Sequence, residues 1–189
     1  LFRYAFWLGR DRQLAEDVVQ EALLRAWKAW GELRDESAAK SWLTSIVRRE
    51  HARTFERKRL DTVDVADYEE QLAGPADNPD LAEMRRAIFG LEDEYREPLV
   101  LQVIMGYQAK EIAELLDMTS GAVLTRLHRA RARLREAMGI PADMGLLLGN
   151  GSDELIQMLA LTVAGPGRTV LSVDPGFVMY RMIATFCGM

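Results

Sequence analysis

Apolar residues recur at helical spacing through the first 138 positions and lose that period afterwards. Leu14, Val18, Leu23, Ala26, Trp27 and Trp30 predict an amphipathic helix of about four turns. Its acids Glu16, Asp17 and Glu21 come early and Arg25 and Lys28 late, as the helix dipole favours, and Gly31 is expected to end it. Asp35 or Ser37 can cap a second helix running through Trp42, Leu43, Ile46 and Val47. On spacing alone, Trp27, Trp30 and Trp42 are expected to be packing residues. Helical pattern resumes near Leu81 with Met84, Ile88 and Leu91, and Pro98 is expected to open a further helix that Gly106 closes. Two short helices then flank a turn at Thr119-Ser120-Gly121, and Val123, Leu127, Ala130 and Leu134 share one face of the second.

Beyond Met138 the pattern changes. Residues 139–189 hold eight of the fourteen glycines, and their only bases are Arg168 and Arg181. The apolar run Leu146–Leu148, a helix opening at Ser152-Asp153-Glu154, and the β-type segment Thr169–Val173 predict strand, helix, strand. The fold class expected is therefore mainly α: two small helical domains at 1–60 and 81–138, an acidic linker at 61–80, and a C-terminal α/β fragment at 139–189. A strand–helix–strand of this length has no sheet to join, so opportunistic packing or partial disorder is expected there.

Charge sharpens the picture because it is segregated. The net charge is −5, yet Arg48, Arg49, Arg53, Arg57, Lys58 and Arg59 form one basic cluster. Arg126, Arg129, Arg131, Arg133 and Arg135 form another, while the stretch Asp61 to Asp80 carries seven acids and no Lys or Arg. Partners of both signs are implied. Five arginines on an amphipathic helix suit either a solvated face or a recognition helix in the DNA major groove. The turn chemistry and the upstream basic cluster favour DNA. The single cysteine, Cys187, excludes an internal disulfide and fits a reducing, cytoplasmic setting. No apolar run approaches the roughly 18 residues of a membrane span, so no membrane partner is expected. The chain opens at Leu1 within a helical pattern, which reads as a truncated start.

Three motifs carry a family resemblance. They are Leu14-Ala-Glu-Asp-Val-Val-Gln-Glu-Ala-Leu-Leu-Arg-Ala-Trp27, Ser41-Trp-Leu-Thr-Ser-Ile-Val-Arg-Arg49, and Glu111-Ile-Ala-Glu-Leu-Leu116 followed by Arg126-Leu-His-Arg-Ala-Arg-Ala-Arg-Leu-Arg135. In this order they resemble extracytoplasmic-function (group IV) sigma factors of the sigma-70 family, which direct bacterial RNA polymerase to promoters. The resemblance covers residues 1–138. It implies that Asp17, Gln20, Glu21 and Trp27 dock on core RNA polymerase. It further implies that Arg48, Arg49, Arg53, Arg57, Lys58 and Arg59 engage the −10 promoter DNA, and that Thr125, Arg126, His128 and Arg129 read −35. His128 is either such a contact or a packed surface histidine. The family often has Asn close to Arg49-Glu50, and Leu124 stands where relatives usually place Lys or Arg. The acidic linker either threads polymerase channels or simply stays solvated. An anti-sigma factor is an expected partner. No catalytic residue, metal site or cofactor is expected in this part.

The last fifty residues resemble a different family. Leu147-Leu-Gly-Asn-Gly-Ser-Asp-Glu-Leu-Ile156, Gly165-Pro-Gly-Arg-Thr-Val-Leu171 and Pro175-Gly-Phe-Val-Met-Tyr180 look like a piece of histidinol-phosphate aminotransferase, a fold-type-I enzyme dependent on pyridoxal phosphate. The resemblance implies that Gly151, Ser152 and Asp153 once faced the cofactor phosphate and that Phe177 stacked on its ring. Ser152 is equally an ordinary N-cap. All four lysines, Lys28, Lys40, Lys58 and Lys110, precede this segment, so the Schiff-base lysine is missing and transamination by this chain is not expected. The change of character between Arg133 and Gly139 reads as a junction of two unrelated sequences. The expected function is promoter recognition as a sigma factor. The alternatives are an inactive aminotransferase fragment and a free-standing helix–turn–helix regulator.

Overall fold

The structure, a computed structural model, describes residues 1–33, 35–60, 79–141, 143–149, 152–171 and 178–189. The side chains of 55–60, 79–81 and 152 are not described. Helix α1 (Phe2–Gly9) ends at Arg10, which enters the left-handed region at φ 61° and donates its N–H to the Phe6 carbonyl. The Asp11 carboxylate then accepts the N–H of Leu14 at 3.0 Å and caps α2 (Arg12–Lys28). Short 3-10 turns at Trp30–Glu32 and Glu36–Ala38 lead into the long α3 (Ala39–Leu60). The Asp35 carboxylate takes both the N–H and the hydroxyl of Ser37, at 2.9 and 2.8 Å, and so starts that approach.

The expected buried stripe of α2 needs correction. Leu14, Ala15, Val18, Ala22 and Ala26 are buried, and these follow the 3.6-residue period closely. Leu23 and Trp27 each sit one residue beyond a buried alanine, about 100° around the helix, and point to solvent. Trp27, 82% exposed, is not the packing residue that spacing suggested, and Trp30, 55% exposed, is one only through its contact with Trp42. Trp42 is half-buried edge-on against Trp30.

The expected acidic linker lies outside the described residues up to position 78; Pro79 and Asp80 already open α4 (Pro79–Gly90). Proline suits that place because the first helical N–H needs no partner. Helix α5 (Asp93–Val103) starts five residues before Pro98, which is buried inside it. The start is fixed by the Glu92 carbonyl, which accepts the N–H groups of Tyr95 and Arg96 at 2.9 Å each. Asp93 and Glu94 in the first turn suit the dipole. Helices α6 (Ala109–Leu116) and α7 (Ser120–Ala137) complete this part. Its core gathers Leu91, Tyr95, Leu99, Leu101, Ile112, Val123, Leu127, Ala130 and Leu134.

Residues Leu1–Gly145 form one compact unit, so α1–α3 pack against α4–α7. The ring of Phe89 lies 4.9 Å from that of Trp7 and 5.8 Å from that of Phe6, centroid to centroid. Arg96, only 3% exposed, donates to the carbonyls of Leu91 at 2.6 Å and Leu8 at 3.3 Å and pairs with Asp93. Its neighbour Glu97 accepts from the Tyr4 hydroxyl and from Arg48 Nε, both at 2.8 Å on the same oxygen. Thr44 and Tyr107 share a buried hydroxyl contact at 2.9 Å. Lys40 donates to the Met105 carbonyl at 2.5 Å and lies over the Tyr107 ring.

Residues Leu146–Met189 form a second unit. There α8 (Ser152–Val163) packs with α9 (Val178–Phe186), burying Ile183 and Ala184. The expected strands are not formed: among the described residues, 146–149 and 169–171 have no regular structure, and no strand occurs elsewhere. A strand persists only where a neighbour takes its N–H and C=O groups, and these short segments have none. Residues 172 and 173 of the expected second strand lie outside the described residues.

Burial, the Glu97 charge and the hydrogen bond to it raise the Tyr4 phenol well above the ordinary tyrosine value, with Arg48 pulling the other way. Its contribution to stability is intact below the unfolded pKa of about 10 and is lost as pH rises beyond that. Tyr4→Phe should cost about 1 kcal/mol at neutral pH in urea unfolding and should flatten the loss of stability above about pH 10. Tyr107, raised chiefly by burial, would retain part of that slope.

Candidate nucleic-acid interface

The α6–turn–α7 pair is held by its own turn chemistry. Gln108 and Glu111 form a reciprocal capping box at the start of α6, with the Gln108 N–H donating to Glu111 Oε2 at 2.7 Å. Asp117 adopts φ 54° and closes α6, and Thr119 Oγ1 accepts the Ala122 N–H at 3.2 Å to cap α7. The reversal therefore lies at Asp117–Thr119. Ser120 and Gly121, expected in the turn, are the first residues of α7. Val123, Leu127, Ala130 and Leu134 are buried, as the periodicity predicts.

The five arginines of α7 divide by partner. Arg126 lies 3.6 Å from Glu94, Arg131 pairs with Gln102, and Arg133 pairs with Glu92 while covering the Tyr95 ring at 4.3 Å. Arg135 is half-buried. Arg129 is exposed, beside exposed Thr125 and His128, and Leu124 is exposed on the same side. His128 is thus a surface residue and not a packed one. The residues expected to read −35 share one outward face, apart from Arg126, which turns partly toward α5.

In α3 the structure separates the expected −10 residues. Arg49 is exposed, whereas Arg48 is held by Glu97 and Arg53 by Glu50 Oε1 at 2.9 Å. Burial opposes the Arg48 charge, but Glu97 and Tyr4 outweigh it and raise its pKa. Arg57, Lys58 and Arg59 fall in the last turns of α3, and their side chains lie outside the described residues.

Asp17, Gln20, Glu21 and Trp27 are all exposed along the outer side of α2. Leu24, 52% exposed, falls between Gln20 and Trp27, and Leu23 borders them. Leu23, expected on the apolar stripe, is instead exposed, and Leu24 is found by counting 17, 20, 24, 27 at helical spacing. An acidic face with an aromatic and two leucines at its centre has the make-up of a protein-docking surface.

Of the expected vestigial cofactor residues, the structure describes only part. Asp153 is exposed in the first turn of α8, and Ser152 is the first residue of that helix. Gly151 and Phe177 lie outside the described residues. Unit Leu146–Met189 contains no lysine, the residue type that forms a Schiff base with pyridoxal phosphate. Among the described residues no cluster of His, Cys, Asp and Glu has the grouping of a metal site, and no helix is long and apolar enough to cross a membrane.

Comparison with known proteins finds likenesses to two different families along the chain. Sigma-70 region 2 matches residues 1–60, and sigma-70 region 4 matches residues 81–134. Through these two regions the chain belongs to the sigma-70 family. It is also similar to the sigma factor RpoE from Bartonella quintana, solved in complex with the anti-sigma factor NepR. That likeness has a TM-score of 0.62 at 25% identity, covering 74% of this chain and 90% of that one. A separate likeness is to the histidinol-phosphate aminotransferase of Thiocapsa roseopersicina, 81% identical over 59 residues, 31% of each chain. The enzyme named histidinol-phosphate aminotransferase 2 of Nitrosococcus oceani is 58% identical over 59 residues, 31% of this chain and 16% of that one. The chain thus spans less than a third of either aminotransferase.

The partner arrangement separates cap from contact. Thr119→Ala should lower unfolding stability by about 1 kcal/mol, because Ala122 loses its capping oxygen. Arg129→Ala should stay within about 0.5 kcal/mol of the parent in the same urea titration, as expected of an exposed side chain.

Proposed function

We propose that this chain is a sigma factor that binds core bacterial RNA polymerase through the outer face of α2. Promoter −10 DNA is then engaged by the basic residues of α3, and −35 DNA by Thr125, Arg126, His128 and Arg129. The observation that carries this reading is Trp27, 82% exposed on a helix whose opposite side is fully buried. An exposed tryptophan flanked by Asp17, Gln20, Glu21 and Leu24 is costly to leave in water and typical of a docking anchor. The acids around it suit a basic partner surface. A chain that only bound DNA would need no such face.

The free-standing regulator is disfavoured by the state of Arg48. Its charge is committed to Glu97 within the unit, so α3 meets DNA with part of its basic cluster occupied. Release of that pair on polymerase fits a sigma factor, whose promoter binding belongs to the holoenzyme. By analogy with the NepR complex of the Bartonella quintana protein, we assign this chain an anti-sigma partner and a cytoplasmic setting. Its role is that of a transcription factor acting by binding, as the sigma-70 regions over residues 1–60 and 81–134 support.

Size-exclusion chromatography with purified bacterial core polymerase tests this. The parent chain should co-elute with core, and the Asp17→Ala/Gln20→Ala/Trp27→Ala variant should not. Tight promoter-duplex binding by the free chain, with no co-elution, would instead establish the free-standing regulator. In the holoenzyme, Arg129→Ala should weaken −35 recognition by about 1–3 kcal/mol in a gel-shift titration, provided it grips a guanine edge.

A further inference from the structure

Glu50 is a buried carboxylate, 6% exposed, on the helix assigned to −10 DNA. Its Oε1 accepts from Arg53 Nη1 at 2.9 Å, one turn along α3, and forms an ion pair with Arg25 Nε of α2 at 3.0 Å. The same Arg25 Nε lies 2.9 Å from Glu21 Oε1. Four charges thus run in alternation, Glu21–Arg25–Glu50–Arg53, from the polymerase-docking face of α2 to the DNA face of α3. Both arginines are roughly half exposed, and Glu50 alone is enclosed.

We infer that Glu50 is a positioning residue that makes the hold on Arg53 depend on whether α2 is docked; the inference rests on the function proposed above. The one N–H of Arg25 Nε donates to Glu21, so Glu50 has only an ion pair with that nitrogen. A cation on the polymerase that pairs with Glu21 leaves that N–H wholly to Glu50. Glu50 Oε1, now better neutralised by Arg25, attracts Arg53 less. The Arg53 guanidinium turns to the phosphates of the promoter strand. Docking on one face thereby raises the DNA affinity of the other, through differential pairing of a single buried anion. No covalent step is involved.

The full-length chain, its Glu50→Gln variant and the Glu50→Gln/Arg53→Ala double variant would be titrated with fluorescein-labelled oligo-deoxythymidine, alone and with core polymerase over a core-only control. Circular-dichroism melting would verify folding. Glu50→Gln keeps the shape and removes the charge, so it should raise affinity of the free chain roughly two- to fivefold. Adding Arg53→Ala should abolish the gain and lower the salt slope by about one. With core present, parent and Glu50→Gln should converge. As a second arm, Arg25→Met should weaken binding in the parent background and leave the Glu50→Gln background unchanged. No gain in the free Glu50→Gln chain, a gain that survives Arg53→Ala, or a gain undiminished by core would each overturn the proposal. Failure of the parent chain to associate with core would overturn the sigma-factor reading instead, and the free-chain titrations would still decide whether Glu50 restrains Arg53.

Discussion

Helix α5 places two opposite charges next to each other where α1, α3 and α5 meet. Arg96 is almost wholly buried and needs the carbonyls of Leu8 and Leu91 and the Asp93 carboxylate. Glu97 takes the Tyr4 hydroxyl and Arg48 on one oxygen. A buried ion tolerates no shift that strips its partners, since an uncompensated charge costs several kcal/mol. Apolar contacts such as Trp7 on Phe89 add burial without direction. The polar pair adds direction: it selects one register of α1 and α3 against α5, and the aromatic and hydroxyl contacts follow from it.

The same pairing governs which cations are available to a partner. Twenty-four basic residues against twenty-nine acids make the chain acidic overall. Internal ion pairs then occupy Arg48, Arg53, Arg126 and Arg133, while Arg49 and Arg129 stand exposed. Electrostatic affinity for nucleic acid therefore depends on the paired state of the unit as well as on its composition. Glu50 and Glu97 act on the same helix α3 from two directions, one through α2 and one through α5.

The tail shows the converse situation. Its local pattern resembles that of a family whose members are much longer, and among the described residues only its helical part is formed. The Ser152-Asp153-Glu154 start needs nothing beyond its own first turn to be a good helix origin. The β-type segments need partners that this unit does not supply. Exposed Leu147, Leu159, Leu161, Leu171 and Phe186 are among the apolar surface left over.

Much of this protein was legible in its residues. Val123, Leu127, Ala130 and Leu134 announced the buried face of α7, and Asp11, Asp35 and Thr119 sit at caps because such side chains satisfy orphan N–H groups locally. The family motifs named both domains, since they span whole helix surfaces. What one-dimensional spacing left open was every question of partner. Trp27 and Leu23 look like core by type, and only the packing of Ala22 and Ala26 against neighbouring helices turns them outward. Pro98 looks like a helix start, and only the Glu92 carbonyl moves that start upstream. Arg48 and Arg53 look like equal members of a basic cluster, and only Glu97 and Glu50, one 49 positions away and the other a single turn away, distinguish them from Arg49. Propensity and capping act within a few residues and are written in the chain. The pairing of charges and the choice of exposed face depend on which helices meet, and that is decided by the tertiary structure alone.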